Sequence, residues 1–112
     1  MRDSAAPQTM EQLDRAAKQR LVDEIQWHHS IRVGEGVVTP GGKTLEHHHD
    51  DIKRLQLPSL AGRSVLDIGA WDGFFSFEAE RRGASRVLAV DSYCWSGEGW
   101  GKKAGFELAR RS

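Results

Sequence analysis

The chain has 112 residues, the size of a single domain. Its 16 basic and 16 acidic residues balance, so no global field argues for a nucleic-acid partner. One cysteine, Cys94, excludes an intrachain disulfide and a CxxC metal knuckle, and no apolar run approaches the ~18 residues of a membrane span.

Met1–Gln8 lacks the apolar core of a signal peptide, and with the lone cysteine this suits a reducing, cytoplasmic setting. Residues 1–9 read as a loose arm. Thr9 is placed to cap a helix whose stripe is Met10, Leu13, Ala17, Leu21, Val22 and Ile25, with the charged residues on its other face. Such a helix is expected to pack rather than bind. Next come two short apolar pieces, Ile31/Val33 and Val37/Val38. Gly34-Glu35-Gly36 between them predicts a small hairpin, ended by Pro40-Gly41-Gly42. Trp27, His28 and His29 mix aromatic and titratable groups. They make a candidate ligand wall, although on residue chemistry alone packing with polar tips outweighs it.

Leu45-Glu-His-His-His-Asp-Asp-Ile52 invites a metal reading. Three consecutive histidines cannot share one helix face, where same-face ligands lie three or four apart. His47 with Asp50 or Asp51 can. A solvated polar stretch leading into a short helix outweighs that reading, so no metal ligand is assigned. Ile52–Leu57 adds a helical turn or two, and Pro58 stops it.

The most informative stretch follows. Val65, Leu66 and Ile68 predict a buried parallel strand over Ser64–Ile68. Gly69 and Gly73 punctuate a sharp turn, and a helix runs from about Gly73 to Arg82. Phe74, Phe75, Phe77 and Ala79 form its inner side, and Gly83 is its stop. Arg86–Asp91 is a second strand, reached by a right-handed crossover. Ser92–Gly101 is a loop rich in glycine and aromatics. Lys102–Arg111 is a helix with Phe106 and Leu108-Ala109 inward.

Strand, glycine turn and helix bring a backbone close to a nucleotide. A dinucleotide site wants G-x-G-x-x-G and a helix N-terminus free of negative charge. Here Trp71 replaces the second glycine, and Asp67 and Asp72 flank the turn. Two carboxylates repel a pyrophosphate but suit a nucleoside with a positive centre, such as S-adenosylmethionine. That cofactor is favoured over a nicotinamide nucleotide and over a purely structural turn. Asp91 ends the second strand 22 residues after Gly69, an offset at which an acid accepts hydrogen bonds from ribose hydroxyls. A lone strand-end aspartate is a turn or cap residue, but with the glycine turn the ribose role is preferred.

Val65-Leu-Asp-Ile-Gly-Ala-Trp-Asp-Gly-Phe-Phe-Ser-Phe-Glu-Ala-Glu-Arg-Arg-Gly-Ala84, followed by Val87-Leu-Ala-Val-Asp91, resembles class I S-adenosylmethionine-dependent methyltransferases. It is similar, more narrowly, to the group named after the tRNA wobble-uridine (5-methoxyuridine) methyltransferase. Trp27–Ile31, Gly36–Gly41 and Lys103–Ala109 share the likeness, which runs from about residue 22 onward. The resemblance implies that Asp67, Gly69 and Gly73 surround the methionine part of the cofactor. Trp71 and Asp72 are part of the same motif, Trp71 lining the pocket. Asp91 holds the ribose, with Ser92 beside it. His28 and His29 are the candidate general bases, because the segment before the first strand often folds over the cofactor mouth in such enzymes.

The expected architecture is α/β: the N-terminal portion of a Rossmann-like doubly wound sheet with two parallel strands. A helical and hairpin extension (residues 1–57) precedes a partial cofactor domain (residues 58–112). A doubly wound sheet normally has five or more strands, so a fragment or truncated relative of a longer enzyme is expected. The acceptor implied is a small molecule or tRNA. The alternative is a noncatalytic fragment or interaction module.

Overall fold

The computed structural model describes residues 12–96 and 103–112. Among them are five helices and one two-stranded parallel sheet: α1 (Arg15–Asp23), α2 (Leu45–Leu55), β1 (Ser64–Ile68), α3 (Phe74–Arg81), β2 (Arg86–Val90), α4 (Tyr93–Ser96) and α5 (Ala104–Arg110). None of the helices is long and apolar enough to cross a membrane.

The two strands pair in register from Ser64 opposite Arg86 to Ile68 opposite Val90. The expected strands are Ser64–Ile68 and Arg86–Asp91, and only the last residue of β2 differs. Side chains alternate between the sheet's faces. Val65, Asp67, Val87 and Ala89 are half-buried. Leu66, Ile68, Leu88 and Val90 lie on the other face, 56, 77, 48 and 37% exposed. The expectation of strands buried on both faces therefore holds on one face only.

Several local expectations change. The first helix begins at Arg15, not after Thr9, which lies outside the described residues with Met10. Asp14 is the cap, its Oδ1 accepting from the Ala17 N–H at 2.8 Å. Lys18, expected on the charged outer face, is buried, and its Nζ donates to the Val33 carbonyl at 2.6 Å. That bond fastens α1 to the turn at Gly34–Gly36. The small hairpin expected at Gly34-Glu35-Gly36 does form: the Val33 N–H donates to the Val37 carbonyl, the Thr39 N–H donates to the Ile31 carbonyl, and Arg32 and Val38 make an antiparallel bridge between them. The histidine run does not lead into a helix but forms its first turns. Thr44 caps α2, and Gln56 ends it in a left-handed conformation before Pro58. The aromatic loop after β2 contains the short helix α4, and its residues 97–102 are outside the described set. The final helix starts at Ala104 rather than Lys102.

The core joins Val22, Trp27, Ile31, Val33, Val37, Phe74 and Ala109. It thus draws on the N-terminal segment, α3 and α5 alike. Burying an aliphatic or aromatic side chain of this kind stabilises by ~1.5–3 kcal/mol. The segment before α2 is also knit internally. Thr39 Oγ1 accepts from the Ile31 N–H and donates to the His29 carbonyl, and Ser30 N–H donates to the Lys43 carbonyl. Its polar backbone is thereby satisfied without regular strands.

Candidate functional site

The expected site residues fall into two groups on either side of the turn after β1. The first group lies at the carboxyl ends of the strands. Ile68, Gly69, Val90, Asp91, Ser92 and Tyr93 line an open cavity of about 420 Å³. Gly69 and Ala70 both donate their N–H to the Val90 carbonyl, which folds the turn back across the end of β2. A Cβ at Gly69 would meet no atom within 4 Å, so the backbone there faces open space. Asp91 Oδ2 accepts from the Trp71 N–H at 3.0 Å, and Oδ1 accepts from the Cys94 N–H at 2.8 Å. Asp91 is therefore both the cap of α4 and a tie to the turn. A carboxylate has about four acceptor positions, so roughly two stay available beyond these bonds. Cys94 is buried, and burial, with Asp91 adding to it, pushes its thiol above the ordinary range.

The second group faces the other way. Asp72 is 2% exposed, and its Oδ2 accepts from the backbone N–H groups of His28 (2.7 Å) and His29 (2.8 Å). Burial raises its pKa, and the two backbone bonds pull it down. Asp72 does not line the cavity. The sequence argument that its charge confronts a ligand is corrected: this carboxylate anchors the N-terminal segment beneath the turn. Asp67 points toward α3 and accepts from Ser76 Oγ at 2.7 Å. Gly73, at φ 94°, is closed over by aromatic rings. A Cβ there would come within 2.7 Å of Phe106 and 2.8 Å of Phe77. Trp71 does not line the cavity as the resemblance implied. Its indole stacks on His28 with centroids 3.9 Å apart and planes 6° apart.

The two candidate bases differ. His28 is half-buried. Burial lowers its pKa, Asp72 opposes this, and Lys43 reinforces it. His29 is buried, with Nδ1 3.9 Å from Asp72 Oδ2 and without a hydrogen-bond partner. Burial, with His28, His48 and Lys43 adding to it, pushes its pKa down to about 3.

One site neighbour escaped sequence reasoning. His48, read as part of a solvated run, is fully buried and stacks on Phe74 at 3.7 Å. Neither ring nitrogen has a partner, and burial, with Lys43, pushes its pKa down to about 4. The signal was present: Leu45, His48 and Ile52 are spaced three and four apart, which puts the histidine on the apolar stripe of α2. His47 and Asp50 are exposed, and Asp51 is bound by Lys43 at 2.8 Å. Among the described residues no group of three or more His, Cys, Asp or Glu is arranged to hold a metal ion.

A wider groove, about 520 Å³, runs along β2 between α3 and α5, past Phe77, Leu88, Trp95 and Phe106. None of the expected cofactor residues lines it. It follows the strand's flank, whereas ligands of open parallel sheets bind beyond the strands' carboxyl ends. The smaller cavity is therefore the candidate site. No family model matches the chain, and comparison with the curated proteins and with the solved structures found no match.

Proposed function

We propose that this chain carries the S-adenosylmethionine-binding part of a cytoplasmic class I methyltransferase, with its sheet a portion of a Rossmann-like doubly wound sheet. The observation that carries the reading is the cavity at the carboxyl ends of β1 and β2, where the open backbone at Gly69 meets the carboxylate of Asp91. These residues fit a nucleoside. Asp91 retains acceptor capacity for ribose hydroxyls, with Ser92 beside it. A pyrophosphate fits less well, for a reason that differs from the one read in the sequence. The N-terminus of α3, where a pyrophosphate would sit, is covered at Gly73 by Phe106 and Phe77 and has the buried Asp72 directly before it.

The bound cofactor would supply an electrophilic methyl group, transferred in line to an acceptor atom. The chain's own contribution is alignment and exclusion of water. Asp91 and Gly69 hold the nucleoside end, and Trp71 and His28 form a stacked pair on the N-terminal side of the turn. Of the two candidate bases, His28 is the more accessible, although it does not line the cavity. Its lowered pKa keeps it neutral near pH 7, and it is half-exposed where His29 is buried. The acceptor is a small molecule or a tRNA.

S-adenosylhomocysteine is expected to raise the melting temperature of the chain, and NADH is not. At a hundredfold excess over Kd the stabilisation is ~2.7 kcal/mol. Protection by NADH alone would transfer the site to a nicotinamide nucleotide.

The exposed face of Leu66, Ile68, Leu88 and Val90 favours a second reading, a noncatalytic interaction module. On that reading the isolated chain self-associates at micromolar concentration in light scattering. A strictly monomeric chain that turns over S-adenosylmethionine would remove it.

A further inference from the structure

We propose that Trp95 is a positioning residue for the turn after β1: it fixes Trp71 in a left-handed conformation and thereby sets how tightly the cavity at the strand ends holds its ligand. The proposal rests on reading that cavity as a cofactor site.

Three described non-glycine residues have positive φ: Glu35, Gln56 and Trp71. Two are ordinary. Glu35 sits in an exposed turn between two glycines, and Gln56 is an exposed helix cap. Trp71, at φ 51°, is different, because a bulky residue in this region persists only where its surroundings over-determine it.

Its surroundings do so from three directions. The Trp71 N–H donates to Asp91 Oδ2 at 3.0 Å. The Trp71 carbonyl accepts from Trp95 Nε1 at 2.6 Å. The indole stacks on His28. The first two contacts come from one short piece of chain, since Asp91 Oδ1 also caps Cys94 and so orients α4, which carries Trp95. Asp91, α4, Trp95 and Trp71 thus close a ring of contacts around the peptide that follows Gly69-Ala70. Lys103 Nζ lies 4.4 Å from the centre of the Trp95 ring and holds it from the α5 side. Trp95 does not line the cavity, whereas Gly69 and Asp91 do. Its effect on a ligand must therefore pass through Trp71.

An indole N–H is a donor only, so Trp95→Phe removes the bond to Trp71 while keeping an aromatic ring in place. The test uses the full chain. Amide exchange across residues 69–73 is measured without ligand, and S-adenosylhomocysteine affinity by calorimetry. Both are repeated in a Trp71→Gly background, where glycine adopts positive φ without a clamp. Trp95→Phe is expected to speed local exchange and weaken the ligand by about five- to tenfold each, the worth of one net hydrogen bond. In the Trp71→Gly background both effects disappear. Unchanged exchange and affinity, or equal effects in both backgrounds, overturn the proposal. Coupled exchange in a wild-type chain that does not bind S-adenosylhomocysteine supports the positioning role and removes the cofactor reading instead.

Discussion

Asp72→Ala is expected to cost about 4 kcal/mol of folding stability. The wild-type carboxylate accepts from two backbone N–H groups, those of His28 and His29, in a buried place. Alanine leaves both donors without a partner, at ~1–3 kcal/mol each, and leaves a small cavity as well. A domain of this size has ~5–15 kcal/mol in total, so much of its stability is at stake. Asp72→Asn keeps one carbonyl oxygen in place and is expected to cost less than half as much. Urea unfolding followed by tryptophan fluorescence measures both. An alanine variant within 1 kcal/mol of wild type would mean that Asp72 does not anchor the N-terminal segment.

The second large effect is with pH. His29 and His48 are buried, with ring nitrogens that lack partners, and their pKa values lie at about 3 and about 4. In the unfolded chain both return to ~6.5. Between ~6.5 and those lower values the unfolded state binds more protons, so stability rises with pH and is lost on acidification. From pH 7 to pH 5 each histidine is expected to remove about 2 kcal/mol. Asp72 acts in the opposite sense, since burial raises its pKa and the folded state takes its proton first. His48→Phe preserves the stack on Phe74 and is expected to remove about half of the slope between pH 7 and 5. Urea midpoints that do not change across this range would show that neither imidazole is held neutral by the fold.

Both effects concern the junction of the N-terminal segment with the turn, which is where the sequence was hardest to read. Strands, turn and following helix were legible because their signals are local. Short apolar runs are bounded by Ser64 and Gly69 or by Arg86 and Asp91, and Gly83 stops α3 at φ 90°. The gathering of Gly69, Asp91 and Ser92 at one cavity follows from the same local pattern, since strand ends in register place their following residues together. The direction of Asp72 was not legible. A turn carboxylate can face a cleft or the core, and the choice depends on partners 43 and 44 residues upstream. His48 was hidden for a related reason: a polar run has no apolar period unless the histidine is counted as aromatic surface, and the ring of Phe74 that receives it comes from another element. Lys18 reads as solvated because its buried partner is the carbonyl of Val33 in a separate turn. The sheet's exposed face shows the converse. Leu66 and Ile68 have the composition of doubly covered strand residues, and within the described residues only one side is covered.

The central claim is that the strand-end cavity binds an adenosyl nucleoside. Titration of the isotopically labelled chain with S-adenosylhomocysteine, followed by amide chemical shifts, tests it directly. At 12.5 kDa the chain is well suited to this measurement. Saturable shifts are expected at Gly69, Ala70, Ser92 and Tyr93, with little change along the groove between α3 and α5 at Glu80, Val87 and Arg110. Saturable shifts confined to that groove, or none anywhere at millimolar ligand, would contradict it.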